Sequence, residues 1–380
     1  MQSFIILLFW LLIVSSLVYT LIIFVITIGW FRIKNFREQT DSGLPDVSIV
    51  AAVRNESNAI EKLLKDLVQQ NYPSGHFEIM LVDDHSEDNT FELTERFISN
   101  NTDFDINLIH SEGNGKKAAV SEGVKLAKHE LIVTTDGDCS VNDNWLKRLA
   151  EYHELKKPKL IVGSVVYNHK KGFLQHFFNL EFMSLVASGA GSLGMGVPLM
   201  ANGANLSFTK KTYKDVLSTQ DGKTLTSGDD VFLLHAISKK FGSKTVHFIK
   251  DSLTIVETDP PENIKSFFSQ RSRWASKAIA YRSWWAILVS ITVFMFNLFL
   301  VLCLVASLLK PWMLIIYGLF VLLKILIDFP LLYYFSEFAN RKKSIPYLFL
   351  FGWIYPIYIV IAACSSLLFR FSWKGRRNLK

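Results

Sequence analysis

Two kinds of hydrophobic pattern divide the chain. Residues 4–30 form an unbroken apolar run without a charge, and further apolar runs follow at 284–309, 312–335 and 347–369. About 20 apolar residues in a helix are enough to cross a bilayer core of about 30 Å. Between the first run and the others, the apolar residues come in short segments separated by polar ones. The pattern predicts a soluble middle part with transmembrane helices at both ends.

The middle of the chain has the pattern of alternating strands and helices. Strands are predicted at 47–53, 77–82, 106–110, 131–135 and 160–167, and helices at 61–70, 90–98 and 116–127. This alternation is typical of an α/β domain with a mostly parallel sheet and helices on both faces. Ligands of such sheets bind beyond the carboxyl ends of the strands. We therefore expect a binding site at that edge.

The apolar segment 173–187 is predicted to be a helix that does not span the membrane. Four polar residues interrupt it, namely Gln175, His176, Asn179 and Glu181. The glycine-rich stretch 188–197 is expected to end it. A helix under the membrane or beside an acceptor cleft fits this pattern better than a span.

Basic residues set the expected topology. Three of them directly follow the first apolar run, namely Arg32, Lys34 and Arg37. By the positive-inside rule they place the soluble part in the cytoplasm. Gly352 and Pro356 are able to break the last run, which crosses the membrane, re-enters or lies along its surface, so three or four crossings are expected. Lys324 and Asp328 lie one helical turn apart, where they either pair in the membrane or snorkel to its surface.

Charge and cysteine content exclude some classes of protein. The net charge is +7, from 41 basic and 34 acidic residues, and much of the excess flanks the apolar runs. That distribution suits anionic lipid headgroups better than nucleic acid. The three cysteines lie far apart without C-x-x-C spacing, which argues against a disulfide framework or a zinc site.

Two acidic clusters follow predicted strands. Asp83 and Asp84 end the second strand, where they either accept hydrogen bonds from a nucleoside or cap the next helix. Asp136 and Asp138 flank Gly137 after the strand at 131–135. Two carboxylates at this spacing suit Mg²⁺ or Mn²⁺, and a glycine between them lets the backbone approach a ligand, although a plain Asp-Gly turn has the same pattern.

Polar residues near these clusters are candidates for nucleotide binding. Arg54 and Glu56 follow the first strand, where they either contact a nucleotide or form a polar turn. Lys116 follows Gly115 at the start of a helix, so it either brings a cation close to phosphate or stays solvated. The spacing of a P-loop is absent from this segment.

The remaining clusters suit catalysis and acceptor binding. Asp229 and Asp230 are adjacent, so that one carboxylate can serve as general base on an acceptor hydroxyl while Asp229 caps the helix that follows. Gln270, Arg273 and Trp274 lie in the basic and aromatic stretch 263–283, which is typical of an interfacial helix. Arg273 suits pairing with a diphosphate, and Trp274 suits stacking on a sugar ring.

In this order, the clusters resemble those of membrane-bound family 2 glycosyltransferases with a GT-A fold, over residues 45–274. The segment 203–208 is similar to the acceptor side of cellulose, hyaluronan and ceramide glucosyltransferase relatives. The resemblance implies a nucleotide-diphosphate sugar, most simply a UDP-sugar, a divalent metal (Mg²⁺ or Mn²⁺) and inversion at the anomeric carbon. One departure is the acidic pair, which is Asp-Asp where many relatives have Glu-Asp, with the second position kept.

Carried over by position, the resemblance gives each cluster a role. Asp83 and Asp84, with Arg54, Glu56, Lys116 and Asp136, would contact the donor. Asp136 and Asp138 would hold the metal, and Asp230 would be the base. The acceptor and diphosphate site would be lined by Asp229, Gln270, Arg273 and Trp274.

We predict four segments: an N-terminal transmembrane helix at 1–31, a cytoplasmic GT-A domain at 45–262, an interfacial segment at 263–283 and a membrane region at 284–370. The expected function is that of an inner-membrane inverting glycosyltransferase. Its acceptor would be a polysaccharide, a lipid-linked glycan or a lipid. The alternative is a non-catalytic membrane sensor or partner subunit that only binds the sugar nucleotide.

Overall fold

The chain folds into two compact units. The computed structural model describes residues 2–39, 43–217, 229–278, 283–368, 372–373 and 376–377. The sheet unit comprises Ile33–His169 and Gly196–Asp259. The helical unit comprises Met1–Arg32, Lys170–Met195 and Pro260–Lys380. The segment Lys170–Met195, which interrupts the sheet unit along the chain, therefore belongs to the helical unit.

Strands occur at every position where the sequence predicted one, and the structure adds others that it did not predict. Their bounds are β1 Val47–Val53, β2 Phe77–Asp83, β3 Ile106–His110, β4 Leu131–Asp136, β5 Cys139–Ser140, β6 Leu160–Val162, β7 Val165–Tyr167, β8 Leu206–Thr209, β9 Val246–Phe248, β10 Val256–Thr258, β11 Ser372–Trp373 and β12 Arg376–Arg377. The central strands consist almost entirely of buried residues, as expected for a sheet covered on both faces.

Seven of these strands form one sheet in the order β3-β2-β1-β4-β8-β6-β9. Every neighbouring pair is parallel except the two pairs that β8 makes with β4 and β6. A smaller sheet has the order β5-β10-β7, and β11 pairs with β12. The prediction of an α/β fold with a mostly parallel sheet is confirmed.

The helices are α1 Gln2–Arg32, α2 Ile60–Val68, α3 Thr90–Asn100, α4 Lys116–Leu126, α5 Trp145–Lys156, α6 Phe173–Gly194, α7 Lys210–Leu217, α8 Asp229–Phe241, α9 Ile264–Ala278, α10 Trp284–Ala306, α11 Trp312–Phe338, α12 Leu348–Phe351 and α13 Tyr355–Leu368. In α2 the buried residues are Ile60, Leu63, Leu64 and Leu67. That spacing puts them on one face, which explains why this helix is readable from the sequence.

The strand register brings distant residues to one edge of the sheet. Val53 pairs with Asp83, and Asp83 pairs with His110. Ala52 pairs with Asp136. Because β8 runs antiparallel to β4, the residues just before β8 also lie at this edge. These residues form the short 3₁₀ helix Gly203–Asn205.

The predicted strand at 160–167 is in fact two strands in two different sheets. β6 belongs to the large sheet and β7 to the small one, with Gly163 and Ser164 between them. A side chain at Gly163 would overlap the amide of Asn205, since its Cβ would lie 2.3 Å from Nδ2. The carbonyl of Ser164 accepts a hydrogen bond from the same amide at 2.8 Å. The side chain of Asn205 therefore lies where β6 and β7 would otherwise join into one strand.

In the helical unit, the described residues include three helices long and apolar enough to cross a membrane: Ile5–Arg32, Trp284–Ala306 and Trp312–Phe338. The described part of the last apolar run is bent by 86° between Lys342–Phe351 and Tyr355–Ser365. It is a broken span or a re-entrant loop, so the expected break near Gly352 is present. Lys324 and Asp328 do pair, at 2.5 Å, and the hydroxyl of Tyr19 also donates to Asp328 at 2.6 Å.

Helix α6 does not end where the sequence predicted. The glycine-rich stretch was expected to end it, but the helix continues to Gly194. These glycines permit close packing of α6 on α1. A Cβ at Gly29 would lie 1.9 Å from the carbonyl oxygen of Gly191. Glycine therefore serves here as a contact residue between two helices, as it does in many membrane bundles.

Candidate functional site

Arg54 holds the loop that follows β2. Its side chain is only 3% exposed, and Nη1 donates to the carbonyls of Asp84, at 2.7 Å, and His85. Nη2 pairs with Glu87 at 2.8 Å. Asn55 supports the same loop, because its amide oxygen accepts from the backbone N–H of Glu87. These bonds fix the shape of the loop beyond β2, and a direct contact of Arg54 with nucleotide stays a prediction.

Asp83 and Asp84 are both 1% exposed and hold backbone in place. Asp83 Oδ2 accepts from the backbone N–H of Ser86 at 3.1 Å and lies 3.3 Å from Nδ1 of His110. Asp84 Oδ1 accepts from the backbone N–H of Gly115 at 2.9 Å. Asp84 thereby joins the end of β2 to the start of α4, where the lysine of the site lies. A nucleoside contact by this pair stays a prediction.

Lys116 and Asp230 lie beside Gly203, and Asp136 pairs with Lys116. Lys116 Nζ lies 2.5 Å from Asp136 Oδ1, and both side chains are about one quarter exposed, at 23% and 28%. A Cβ at Gly203 would lie 3.2 Å from Lys116 Nζ and 3.8 Å from Asp230 Oδ2. Lys116 and Asp230 therefore flank one glycine, and Asp136 is joined to them through its contact with Lys116. They come from three separate stretches of the chain.

Hydrogen bonds hold Gly203 in this position. Its N–H donates to Asp230 Oδ2 at 3.2 Å, and its carbonyl accepts from Thr134 Oγ1 at 2.7 Å. Asp230 Oδ1 accepts from the N–H of Val231 at 2.8 Å, near the start of α8. The half-buried carboxylate of Asp230 is thus oriented by two backbone donors. The side chain of Asp229 lies outside the described residues.

Asp136 and Asp138 flank the turn between β4 and β5, and both are half-buried. Burial, together with the charges of Asp138 and Asp136, raises the pKa of the Cys139 thiol well above its usual value. Gly137 packs tightly, since a Cβ there would lie 2.8 Å from Glu56 Cγ and 3.0 Å from Val53 Cγ1. The glycine is therefore needed for packing against β1, a reason that the sequence did not reveal.

The carboxylates of this turn suit a cation whose remaining ligands come from a substrate and from water. Among the described residues, no group of three or more His, Cys, Asp or Glu side chains is arranged to hold a metal ion. Asp136 and Asp138 supply two carboxylates. Mg²⁺ is commonly held by one or two carboxylates together with phosphate oxygens and water. The two aspartates fit that type of site.

The predicted acceptor residues lie on α9 of the helical unit. Trp274 packs against Phe182, with ring centroids 5.8 Å apart, and Gln270 Oε1 accepts from Arg271 Nη1 at 2.5 Å. Arg273 is half-buried. Residues 279–282 of the predicted interfacial segment lie outside the described residues. Sequence reasoning missed the partner of Arg271, which is Glu181, although a single acidic residue in an apolar helix is a signal of a buried pair.

The fold is that of a GT-A domain. The chain is similar in structure to a mannosyltransferase from Pyrobaculum calidifontis, solved in complex with GDP-Man and Mn²⁺. The TM-score is 0.63 at 16% identity, and the match covers 96% of this chain and 97% of that one. At this identity the likeness shows the fold alone.

The chain belongs to the family described as glycosyl transferase family group 2, whose profile matches residues 131–372. The profile described as glycosyl transferase family 2 matches residues 48–192. The two matches together run from β1 to the end of the described helices, so the predicted family is confirmed.

Two curated relatives are similar over part of their length. The glycosyltransferase AglE of Haloferax volcanii is 32% identical over 131 residues, which are 34% of this chain and 43% of the relative. The poly-beta-1,6-N-acetyl-D-glucosamine synthase of Staphylococcus epidermidis is 27% identical over 246 residues, 63% of this chain and 57% of the relative. The chain thus spans about half the length of these relatives.

Proposed function

We propose that this protein is a membrane-bound inverting glycosyltransferase. It would move a sugar from a nucleotide-diphosphate donor to an acceptor held at the membrane. The observation that carries the proposal is the placement of Lys116 and Asp230 beside Gly203, with Asp136 paired to Lys116, in a chain of this family. The cation and the two carboxylates suit a reaction that begins with a diphosphate and releases a proton.

The donor binds at the carboxyl edge of the large sheet. Lys116 lies where an ammonium can pair with diphosphate oxygens, and Asp136 beside it orients that ammonium. Asp83 and Asp84 define the pocket for the nucleoside through the loops that they hold, together with Arg54 and Glu56. Two of the similar proteins support a sugar nucleotide as the donor. The mannosyltransferase of similar fold was solved with GDP-Man, and the poly-beta-1,6-N-acetyl-D-glucosamine synthase is a relative in sequence. A UDP-sugar is the simplest choice.

Asp136 and Asp138 would hold Mg²⁺ or Mn²⁺. Both are oxygen ligands at a half-buried turn, and hard divalent cations prefer oxygen. When bound, the ion would neutralise negative charge on the diphosphate. The mannosyltransferase of similar fold was solved with Mn²⁺, which supports a divalent metal here.

Asp230 acts as the general base. An acceptor hydroxyl oxygen attacks the anomeric carbon of the donor while the bond from that carbon to the diphosphate oxygen breaks. The hydroxyl proton passes to Asp230, and the nucleoside diphosphate leaves with the bonding electron pair. The two backbone N–H groups that bind Asp230 fix its direction and leave it half-exposed, so a hydroxyl can reach it.

Gln270, Arg273 and Trp274 would bind the acceptor, as would Asp229, which precedes the base in the sequence. The indole suits a sugar face, and the guanidinium suits phosphate. The acceptor is a growing polysaccharide, a lipid-linked glycan or a lipid. The helices that can cross a membrane favour an acceptor at the membrane surface, with the sheet unit on the cytoplasmic side of the inner membrane.

The test is an activity assay with a matched pair of variants. Purified protein in lipid vesicles receives UDP-glucose, UDP-N-acetylglucosamine or GDP-mannose with total lipid extract, and mass spectrometry identifies products. Asp230→Asn should lower transfer by about 100-fold or more while donor binding is kept. Asp143→Asn, at an exposed carboxylate, should change neither. Full activity of Asp230→Asn would remove the proposed base.

The alternative function is a membrane sensor that binds the sugar nucleotide without turnover. In the same assay, a wild-type protein that binds the donor but yields no product and releases no nucleoside diphosphate would favour it.

A further inference from the structure

Arg271 forms a buried ion pair within the helical unit. Its side chain is 3% exposed, and that of its partner Glu181 is 4% exposed. Arg271 Nε donates to Glu181 Oε2 at 2.7 Å, and Nη2 contacts the same oxygen. The hydroxyl of Tyr358 donates to the other carboxylate oxygen at 2.9 Å. Helices α6, α9 and α13 are thus joined at one carboxylate, and the guanidinium has a fixed orientation.

The same guanidinium contacts two of the predicted acceptor residues. Nη1 donates to Oε1 of Gln270 at 2.5 Å, which places the Nε2 of that amide on the side away from Arg271. The guanidinium carbon lies 4.2 Å from the ring centroid of Trp274, so Arg271 covers one face of the indole. A planar group with five donors makes these contacts at once, which a lysine cannot do.

We propose that Arg271 is a positioning residue for acceptor binding, a role that rests on the proposed glycosyl transfer. Arg271 is itself too buried to meet a substrate. It acts by fixing the direction of the Gln270 amide and by supporting the inner face of Trp274. The half-buried indole, which also packs against Phe182, is then held in a fixed position for contact with a sugar ring.

A buried ion pair alone does not demonstrate such a role. Apolar residues of similar volume commonly replace buried ion pairs without loss of stability, whereas removal of one partner leaves an uncompensated charge. An apolar pair can restore packing, but it cannot orient an amide or hold an indole by its charge. The double variant Glu181→Met/Arg271→Met therefore separates positioning from stability.

The experiment uses the full chain in lipid nanodiscs, labelled with 5-fluorotryptophan. Fluorine NMR resolves the tryptophans, and Trp274→Phe assigns the resonance of Trp274. Trp30, in the helical unit, and Trp145, in the sheet unit, are both fully buried and report on folding. Total lipid extract serves as acceptor in a parallel transfer assay with a labelled UDP-sugar. Lys324→Met/Asp328→Leu is the control, since it removes another buried pair of the helical unit.

We expect the Glu181/Arg271 double variant to shift or broaden the Trp274 resonance while Trp30 and Trp145 keep theirs. The acceptor concentration for half-maximal rate should rise about tenfold, with donor affinity unchanged. Arg271→Lys, which keeps the charge, should give the same pattern if the double variant does not fold. The Lys324/Asp328 control should leave the Trp274 resonance in place.

Two results would overturn the positioning role. One is an unchanged Trp274 resonance and acceptor dependence in the double variant, which would reduce Arg271 to a structural charge. The other is an equal loss of donor affinity, which would assign Arg271 to the donor. If the wild type transfers no sugar at all, the proposed function fails, and the NMR comparison still decides whether Arg271 holds the indole.

Discussion

Replacing Gly137 by alanine tests the packing of the turn that carries Asp136 and Asp138. The new Cβ would lie 2.8 Å from Glu56 Cγ and 3.0 Å from Val53 Cγ1. Carbon atoms in contact prefer about 3.5–4.0 Å, so the overlap is roughly 0.5–1 Å. Glu56 can yield by rotation, but Val53 belongs to the buried strand β1. The turn itself must therefore move.

The expected loss follows from the size of this movement. Overpacking of this kind costs about 1–3 kcal/mol of folding free energy. A displacement of about 1 Å in a group that positions a substrate can cost about 100-fold in rate. Gly137→Ala should thus unfold a few degrees earlier and lose most of its transfer activity. The assays are thermal unfolding in detergent and product formation from the labelled donor.

A control and a second-site change make the outcome decisive. Gly43→Ala should be neutral, because no described atom lies within 4 Å of its Cβ. Val53→Ala removes Cγ1, the atom that a Cβ at position 137 would overlap. The double variant Gly137→Ala/Val53→Ala should therefore recover part of the activity. Full activity of the single variant would refute the reasoning. Failure of the double variant to recover would show instead that the new methyl group obstructs the ligand.

Three further outcomes follow from the described contacts. Gly29→Ala should lower the free energy of unfolding by about 3 kcal/mol or more, because its Cβ would lie 1.9 Å from a backbone carbonyl oxygen of α6. Gly318→Ala, whose nearest contact would be at 3.6 Å, should be neutral or slightly stabilising, and thermal unfolding compares the two variants. The pKa of Cys139 is raised, so its thiolate is scarce near pH 8. In a variant whose other two cysteines are replaced by alanine, iodoacetamide should therefore modify Cys139 far more slowly in the folded than in the unfolded protein. Lys116→Met should weaken donor binding about tenfold, measured by titration with labelled donor, and Lys117→Met should bind the donor like the wild type.

The interior of the sheet unit was predictable because its signals are local. The strand Ile106–His110 has the predicted bounds, and β1, β2 and β4 agree within one residue. Short apolar runs of this length, bounded by polar turns, are typical of buried strands. The single strand predicted at 160–167 was wrong because a distant amide, that of Asn205, separates its two halves. No local pattern carries that information.

The candidate site was predictable in its residue types but not in its arrangement. The order of the acidic clusters is visible in the sequence and indicated the family. The sequence did not show that Asp84 would bind the backbone of Gly115, or that Gly203 would lie between Lys116 and Asp230. It also gave Arg271 no role, since its partner Glu181 is 90 residues away along the chain.

The amino-acid sequence by itself therefore determined the strands and helices from β1 to β4, the family and the apolar helices at both ends, since these depend on periodicity and on motifs within short windows. Only the tertiary structure decided which side chains meet. Strand order and the antiparallel direction of β8 bring Gly203 to the carboxyl edge beside Asp136, and glycine contacts assign α6 to the helical unit. Contacts between residues far apart in sequence depend on how whole elements pack, and a local pattern does not encode that packing.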